Sequence, residues 1–432
     1  MDNKVQYSSP ENTYPCVDRL DTPLGQYRVL DLTDEKGFLC GKTLGDLGAD
    51  VIKVERPGGD PSRNIGPFYN DIPHPEKSLY WYAFNNNKRG ITLNIETSDG
   101  KKIFKRLVQT SDFVIESFPP GYMKNLGLDY SVLSNINPRI IMTSITPFGQ
   151  DGPYSGYKGP DIIAWAMCGM MNLCGETDRP PVRISFPQTY LHAGTHAATG
   201  TMIALYWREI SGEGQYVDVS IREAATIALM NSFSFWDLNR INMRRAGVFR
   251  IGLSSNAQQR VSWPCRDGYV AFALFGSNLG AATNKALVDW MDSEGMAPDY
   301  LKRDWATFDL ASITTAELEQ IMEPIGKFFL HHTKSELWEG ARKRQMQLYP
   351  VADIKDIVED PQLHSRAFWT SVEHPELGVA ITYPGPFLKL FETPCHIWRR
   401  APLIGEHNAE IYEKELGLSR NDLLALKQAR II

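Results

Sequence analysis

Short β-prone runs alternate with helix-compatible stretches along the first half of this 432-residue chain. The β-prone run Tyr27–Leu32 precedes a helix-compatible stretch, Gly37–Leu47, and a second β-prone run, Asp50–Val54. Helix-like Asp99–Gln109 then leads into strand-like Phe113–Glu116. Because a helix between two strands returns the chain in the same direction, the alternation predicts an α/β fold with a parallel sheet covered by helices on both faces.

The pattern continues and then changes. Strand-like Arg139–Ile145 and Gln215–Val219 flank a long helical stretch, Ala193–Glu209, whose Gly, Ala and Thr residues predict a closely packed core helix. After about residue 230, an aromatic run, a basic run and a new strand and helix pattern predict a smaller second domain. Near the end of the chain, Asn421 and Asp422 are candidate N-caps of a last helix.

Composition and charge exclude several classes of protein. The chain has 45 Lys and Arg against 51 Asp and Glu, a net charge of -6, so we expect no nucleic-acid or membrane partner. No apolar run approaches the length of a membrane span. The six cysteines form neither CxxC pairs nor a disulfide framework, so we expect a cytoplasmic protein with no metal site.

Cationic side chains recur after the first strands. The turn Thr33–Gly37 lacks the G-x-G-x-x-G pattern, which argues against a dinucleotide-dependent dehydrogenase. Lys53 and Arg56 lie near the end of one strand-like run, in the segment Val51–Asp60, and Lys88 and Arg89 lie farther along. We expect these side chains at the carboxyl ends of strands, where open α/β sheets bind ligands and where cations suit a multiply charged phosphate group.

Several short segments resemble, in the same order along the chain, successive motifs of the class III CoA-transferases. They are Val29–Thr33, Leu47–Asp60, Asn87–Leu93, Pro120–Gly121, Leu126–Leu128, Asn137–Arg139, Phe148–Pro153, Gly212–Gln215, Asp360–Leu363 and Gly405–Asn408. The resemblance runs from about residue 27 to the end. This family includes formyl-CoA transferase, L-carnitine CoA-transferase and the two-subunit benzylsuccinate CoA-transferase, of which such a chain could be one subunit.

The resemblance implies an architecture. A large Rossmann-like CoA-binding domain would comprise residues 1–225, completed by about 395–432. A small α+β domain with its first linker would comprise 226–345, and 346–394 would form the return linker. Two such ring-like chains, identical or paralogous, would interlock as a dimer.

The resemblance also implies a mechanism. Asp178, in Gly175–Pro181, stands at the place of the catalytic aspartate; Glu176 is the nearest competing carboxylate. CoA would pass from an acyl-CoA thioester, succinyl-CoA first among the candidates, to a small free carboxylic acid through aspartyl anhydride and aspartyl-CoA thioester intermediates. No cofactor would be permanently bound. The candidates for binding the acceptor carboxylate are Arg179, Arg183, His192 and His196.

The implied contacts with the CoA substrate lie in four segments. They are Glu35, Lys36 and Gly37; Arg56; Asn87, Lys88 and Arg89; and Ser117 with Phe118. Ser117 replaces an asparagine usual in the family. The equivalent of the glycine-rich loop that covers the active site in formyl-CoA transferase would be Phe275–Gly280.

Two other functions stay open. α-Methylacyl-CoA racemases share the fold, but their two bases would fall at Gly159–Asp161 and Thr189–Tyr190, where neither base motif is present. Isomerization or epimerization of an acyl-CoA would therefore need a base that the sequence does not identify. The remaining alternative is a noncatalytic subunit of a hetero-oligomeric CoA-transferase.

Overall fold

The computed structural model describes residues 21–251 and 258–432; the first twenty residues of the predicted large domain lie outside this range. The chain divides into two compact units. The large unit comprises the residues up to Met170, Ile184–Phe233 and Pro361–Ile432, and the small unit comprises Met171–Arg183 and Ser234–Asp360. In the part of the chain described, no helix combines the length and the apolar character needed to cross a membrane.

A six-stranded parallel sheet forms the centre of the large unit. Its strands are β1 (Arg28–Leu32), β2 (Asp50–Glu55), β3 (Lys88–Thr92), β4 (Phe113–Glu116), β5 (Ile141–Thr146) and β6 (Tyr216–Ser220). Their order is β3-β2-β1-β4-β5-β6, and every neighbouring pair is parallel. This is the Rossmann order, with a topological switch point between β1 and β4. The predicted Rossmann-like parallel sheet is confirmed.

The helices alternate with these strands and continue through the rest of the chain. They are α1 (Phe38–Asp46), α2 (Leu79–Asn85), α3 (Ser98–Val108), α4 (Tyr122–Leu126), α5 (Tyr130–Ile136), α6 (Asp161–Met167), α7 (Met170–Leu173), α8 (Thr189–Ser211), α9 (Ile221–Thr226), α10 (Met230–Asn239), α11 (Ser277–Ser293), α12 (Thr315–Leu330), α13 (Lys334–Lys343), α14 (Ile354–Val358), α15 (Pro361–Ser365) and α16 (Arg420–Gln428).

Side chains that alternate along the strands build two apolar layers. Leu30 and Ile52 pack in the layer that includes Phe104 of α3. Val29 and Val51 pack in the opposite layer, which includes α1 and α8. The small residues of α8 allow close packing, as the sequence predicts. A Cβ added at Gly194 would lie only 2.7 Å from the Cβ of Leu39 in α1.

A buried ionic cluster ties the centre of the sheet together. Asp31 in β1 is fully buried and contacts the ammonium groups of Lys88 at 2.8 Å and Lys53 at 3.6 Å. Burial alone would raise the pKa of Asp31, but attraction to the two lysines and hydrogen bonds from Lys88 and Thr33 hold it below its ordinary value. Lys88 is the first residue of β3, so its predicted position at a carboxyl end is wrong. Lys53 lies inside β2, and both charges neutralise Asp31 within the core.

The small unit is an α+β structure with its own core. Its strands are β7 (Phe249–Ile251), β8 (Gln258–Arg260), β9 (Ser262–Cys265), β10 (Gly268–Phe272) and β11 (Leu348–Pro350). The antiparallel sheet β11-β10-β9 packs with α11, α12 and α13 around Trp263 and Phe329. An antiparallel hairpin of the large unit, β12 (Trp369–His374) with β13 (Val379–Pro384), lies farther along the chain.

Candidate active site

A pocket of about 610 Å³ lies at the switch point of the large sheet. We call it the switch-point pocket. Asp34 and Glu35, which follow β1, line it together with Arg56, which follows β2, and Ser117 and Phe118, which follow β4. All of these residues come after the carboxyl ends of parallel strands, the position where open α/β sheets bind ligands.

Ser117 joins the ends of β1 and β4. Its hydroxyl donates to a carboxylate oxygen of Asp34 at 2.7 Å and accepts the backbone N–H of Asp34 at 2.9 Å. The ammonium of Lys36 forms an ion pair with the same carboxylate, and the backbone N–H of Lys36 donates to it at 3.1 Å. The serine therefore fixes the loop after β1 across the switch point.

The other predicted contacts in these loops differ in role. The Glu35 carboxylate accepts the Ser62 hydroxyl at 2.7 Å, which holds it against the loop after β2. The Arg56 side chain is exposed at the pocket. Gly37 is the N-cap of α1, and a Cβ there would lie 2.6 Å from the Thr33 methyl group, so only glycine fits.

A second pocket, of about 350 Å³, adjoins the first and shares Glu35, Ser117 and Phe118 with it. We call it the adjoining pocket. Lys36, Lys158 and Tyr190 also line it. The two pockets follow one edge of the sheet on either side of the switch point, so together they suit a long ligand.

Asn87, Lys88 and Arg89 have partners elsewhere in the large unit. The Asn87 amide donates to Asp46 and to the carbonyl oxygen of His396, each at 2.8 Å. Arg89 forms a bidentate pair with Asp50 at 2.6 and 2.9 Å. Lys88 and Arg89 begin β3, so the expected position at a carboxyl end is wrong for them too. Their role in CoA binding stays a prediction.

Glu116 is the last residue of β4 and immediately precedes Ser117 and Phe118, which line both pockets. Its carboxylate accepts the backbone N–H of Phe118 at 2.6 Å and the hydroxyl of Ser144. Burial raises the pKa of Glu116 to about 7, despite these hydrogen bonds. The carboxyl group that accepts the Phe118 N–H therefore changes its charge near neutral pH.

Asp178 lies in an exposed loop of the small unit, between α7 and α8. The loop is closed by a hydrogen bond from the backbone N–H of Val182 to the carbonyl oxygen of Cys174 at 3.1 Å. The guanidinium of Arg245 donates to the carbonyl oxygens of Glu176 at 2.9 Å and Arg179 at 2.8 and 3.0 Å. Arg245 thus fixes the backbone on both sides of Asp178.

Close packing adds a second restraint on this loop. The backbone N–H of Gly247 donates to the carbonyl oxygen of Gly175 at 2.9 Å. A Cβ at Gly247 would lie 2.1 Å from the Glu176 carboxylate, and its φ of +57° also favours glycine. The turn is therefore held in one backbone conformation while the Asp178 carboxylate stays exposed.

The candidate acceptor-binding residues fall in both units. Arg179 and Arg183 are exposed on the same segment as Asp178. His192 lies on α8 of the large unit, one turn before His196. Burial, with a smaller effect from His196, lowers the pKa of His192, which therefore favours the neutral imidazole.

Asp161 and Thr189, in the segments where a racemase would have its two bases, are hydrogen-bonded to each other. One carboxylate oxygen of Asp161 accepts the Thr189 hydroxyl at 2.7 Å and backbone N–H groups of Thr189 at 2.9 Å and Gln188 at 3.1 Å. Asp161 thereby fixes the start of α8. The contacts thus give Asp161 and Thr189 a role in folding.

Several residues at these sites were not singled out from sequence. Lys158 and Tyr122 line the pockets from loops and a short helix, and Arg430 reaches the switch-point pocket from far along the chain. The proline and glycine residues around Lys158 are a weak signal for a loop near a ligand. Arg430 and Arg245 carry no such signal, because only the folded chain shows what they contact. The expected cover loop, Phe275–Gly280, instead leads into α11 at Ser277.

A comparison with protein families decides what kind of protein this is. The family model described as CoA-transferase family III matches residues 24–408. The chain belongs to CoA-transferase family III. It is accordingly an enzyme of the CoA-transferase class, as the resemblance implies.

Named members of family III cover nearly the whole chain. Succinyl-CoA:(R)-benzylsuccinate CoA-transferase subunit BbsE of Thauera aromatica is 37% identical over 89% of this chain and 92% of its own. Succinyl-CoA–D-citramalate CoA-transferase of Chloroflexus aurantiacus is 33% identical, with 95% and 98% covered. Formyl-CoA:oxalate CoA-transferase of Streptomyces avermitilis is 34% identical, with 94% and 98% covered.

Solved structures agree with the family assignment. A CaiB/BaiF family protein from Brucella suis superposes with a TM-score of 0.78 at 28% identity, with 91% of this chain and 99% of that chain covered. Rv3272 from Mycobacterium tuberculosis gives a TM-score of 0.71 at 26% identity, with 90% and 99% covered. The fold is therefore shared with both of these solved structures over most of its length.

Proposed function

We propose that this family III enzyme transfers CoA between two carboxylic acids with Asp178 as the nucleophile. The observation that carries the proposal is the Asp178 loop, in which an exposed carboxylate stands on a backbone fixed by Arg245. A nucleophile must be accessible to the thioester and yet be oriented, because misplacement by about 1 Å can cost about 100-fold in rate. Glu176, the competing carboxylate, packs against Gly247.

The reaction would proceed by exchange at carbonyl carbon. A carboxylate oxygen of Asp178 attacks the donor thioester, the C–S bond breaks, and CoA thiolate leaves a mixed anhydride. The thiolate then attacks the aspartyl carbonyl and releases the donor acid, which leaves an aspartyl-CoA thioester. The acceptor carboxylate attacks this thioester to form a second anhydride and free thiolate. Attack of the thiolate on the acceptor acyl carbon releases the new acyl-CoA and regenerates Asp178.

The two pockets of the large unit suit the length and charge of CoA. Arg56 offers a cation to phosphate in the switch-point pocket. Lys158 offers another in the adjoining pocket, and Ser117 and Phe118 lie in both. We place the nucleotide part in the switch-point pocket and the pantetheine chain past Ser117 into the adjoining pocket.

Succinyl-CoA is the donor that we propose. The named relatives from Thauera aromatica and Chloroflexus aurantiacus both use succinyl-CoA, according to their names. The exposed guanidinium groups of Arg179 and Arg183, beside Asp178 in sequence, can pair with the second carboxylate of a dicarboxylic acid. An acceptor that is itself a dicarboxylic acid would pair its non-reacting carboxylate with Arg179 and Arg183 in the same way.

A second chain would complete the molecule, in an interlocked dimer. Helix α8 exposes a stripe of large apolar side chains, Ile203, Tyr206, Trp207 and Ile210, which are 63, 72, 53 and 61% exposed. Their spacing of three and four residues places them on one face of the helix. Contiguous exposed apolar surface of this kind is typical of a protein interface, and a second copy or a paralogue of this chain is the partner that we propose.

Covalent labelling tests the mechanism. Purified protein is incubated with succinyl-CoA and a panel of acyl-CoAs, quenched with hydroxylamine or borohydride, and examined by intact-protein and peptide mass spectrometry. We expect a hydroxamate or reduced adduct at Asp178 that is absent from Asp178→Asn, with Glu176→Gln as the matched control that keeps the adduct. CoA binding without any adduct would instead favour a noncatalytic subunit.

A further inference from the structure

Arg430 occupies a backbone position that favours glycine. After α16, its N–H donates to the carbonyl oxygen of Lys427 at 3.0 Å, and the N–H of Ile431 donates to that of Leu426 at 2.8 Å. This is the Schellman pattern that ends many helices, with Arg430 at the left-handed residue and a φ of 55°. An arginine is strained there in a way that glycine is not, and such strain is often found at functional sites.

The segment after α16 is anchored to a wall of the switch-point pocket. Ile431 and Ile432 are buried in the same apolar cluster as Leu93 and Ile95. The backbone N–H of Asn94 donates to the carbonyl oxygen of Ile431 at 2.7 Å. Since Leu93, Asn94 and Ile95 line the pocket, these contacts hold the backbone of Arg430 beside it.

Most acidic side chains at this pocket already have partners. Glu55 accepts two hydrogen bonds from the guanidinium of Arg63, at 2.6 and 2.8 Å. Glu96 accepts the hydroxyl of Tyr122 at 2.7 Å, and Asp34 pairs with Lys36. These carboxylates are therefore occupied by groups other than Arg430.

Two cations at the pocket are left without such partners. Over residues 21–251 and 258–432, neither Arg56 nor Arg430 forms an ion pair or a side-chain hydrogen bond. Both side chains are exposed, and both line the pocket. Two unpaired guanidinium groups in one pocket are suited to a polyanion, because each can bind phosphate oxygens in a bidentate way.

We propose that Arg430 is a phosphate-binding residue for the nucleotide end of CoA and acts together with Arg56. The proposal rests on the proposed location of CoA in the switch-point pocket. Contact with the 3′-phosphate or with the diphosphate would use the same chemistry. The strained backbone is kept because it places a guanidinium at the pocket, where glycine would only end the helix.

The test is the affinity of the full-length protein for free CoA, measured by calorimetry with wild type, Arg430→Gly and Arg430→Lys. Glycine suits the backbone position, so we expect Arg430→Gly to melt at the wild-type temperature or above. We expect its Kd for CoA to rise about 10-fold, and that of Arg430→Lys to rise less, since lysine keeps a charge but loses bidentate contact.

Two further arms make the result specific. Lys427→Ala, on the same helix, removes an exposed cation that does not line this pocket, and we expect it to keep the wild-type Kd. With 3′-dephospho-CoA, loss of the Arg430→Gly effect would identify the 3′-phosphate as the partner, and a retained effect would identify the diphosphate. An unchanged Kd for CoA in Arg430→Gly, or an equal loss in Lys427→Ala, would overturn the proposal. Absence of CoA binding by wild type would count against the proposed function instead.

Discussion

Glu116 shows how one buried side chain makes stability depend on pH. Its pKa is about 7 in the folded protein against an ordinary value of 4.5. The folded state therefore binds more protons than the unfolded state between these values, so the free energy of unfolding falls as pH rises through this window. Well above pH 7 the carboxylate is ionised in both states and its contribution no longer changes.

We expect this single group to lower the free energy of unfolding by about 3 kcal/mol between pH 4.5 and 7. Denaturant unfolding across that range measures the change. In Glu116→Gln, which keeps an acceptor for the Phe118 N–H, this part of the pH dependence should be absent. Equal slopes for the variant and wild type would show that other groups cause it.

Residues of the site were predictable where they follow strands in sequence. Glu35, Lys36, Ser117 and Phe118 follow β1 and β4, so an alternating pattern is enough to bring them to one edge of the sheet. Asn87, Lys88 and Arg89 were expected beside them. Their side chains instead bind carboxylates that are distant in sequence, namely Asp46, Asp31 and Asp50, respectively. Pairing of this kind has no local signal, and Arg430 was missed for the same reason.

At the scale of elements, strongly patterned segments were predicted well. Phe113–Glu116 forms β4 with the predicted bounds, and α1 lies within the predicted Gly37–Leu47. The predicted N-cap of the last helix, Asn421 or Asp422, is wrong. The N-cap is Ser419, whose hydroxyl accepts the backbone N–H of Asp422, and α16 begins at Arg420. Serine at the cap with an acid three residues later is the capping-box pattern, which fixes the helix start through two hydrogen bonds.

The contact between α1 and α8 should tolerate no added methyl group. In Gly194→Ala, the new Cβ would meet the Leu39 Cβ at 2.7 Å, so we expect a loss of about 1–3 kcal/mol in the free energy of unfolding. Gly326→Ala, also within a helix, places its Cβ 3.5 Å from Trp263, which is ordinary contact. That control should be neutral or stabilising by up to about 1 kcal/mol. Thermal and denaturant unfolding compare the two, and equal effects would contradict close packing.

The Asp178 loop should depend on Arg245 for turnover rather than for CoA binding. Arg245→Met removes the donors to the carbonyl oxygens of Glu176 and Arg179, and we expect kcat to fall by at least about 10-fold, with Kd for CoA unchanged. Arg245→Lys should recover part of the rate. The matched control is Arg244→Met, which removes an exposed neighbouring charge and should keep wild-type kcat. A wild-type rate in Arg245→Met would show that the loop needs no such restraint.

At the scale of the whole molecule, the exposed apolar stripe on α8 predicts association. For a homodimer, we expect light scattering of the purified protein to give twice the 48.8 kDa mass of one chain. For a heterodimer, we expect a mass above that of one chain only when a paralogous chain is added. Trp207→Glu should weaken association, because a charge would enter the stripe. Leu424→Glu, which changes an exposed leucine on α16, is the control that should leave association intact.

Interlocking makes a stronger prediction than association alone. Two folded preparations with different tags should not exchange subunits on mixing, because chains threaded through each other must unfold to separate. Unfolding them together and refolding should produce mixed dimers, which affinity capture on one tag detects. Rapid exchange under native conditions would show an ordinary face-to-face dimer.

The division of the chain into units also bears on how the protein is made. Asp178 and Arg245 belong to one unit, but the chain returns to the large unit between them, through Ile184–Phe233. At roughly 5–20 residues per second, a ribosome adds Arg245 several seconds after Asp178 and after the last strand of the six-stranded sheet, β6. During biosynthesis, the strands of the sheet are therefore all synthesised before Arg245, the residue that holds the Asp178 loop.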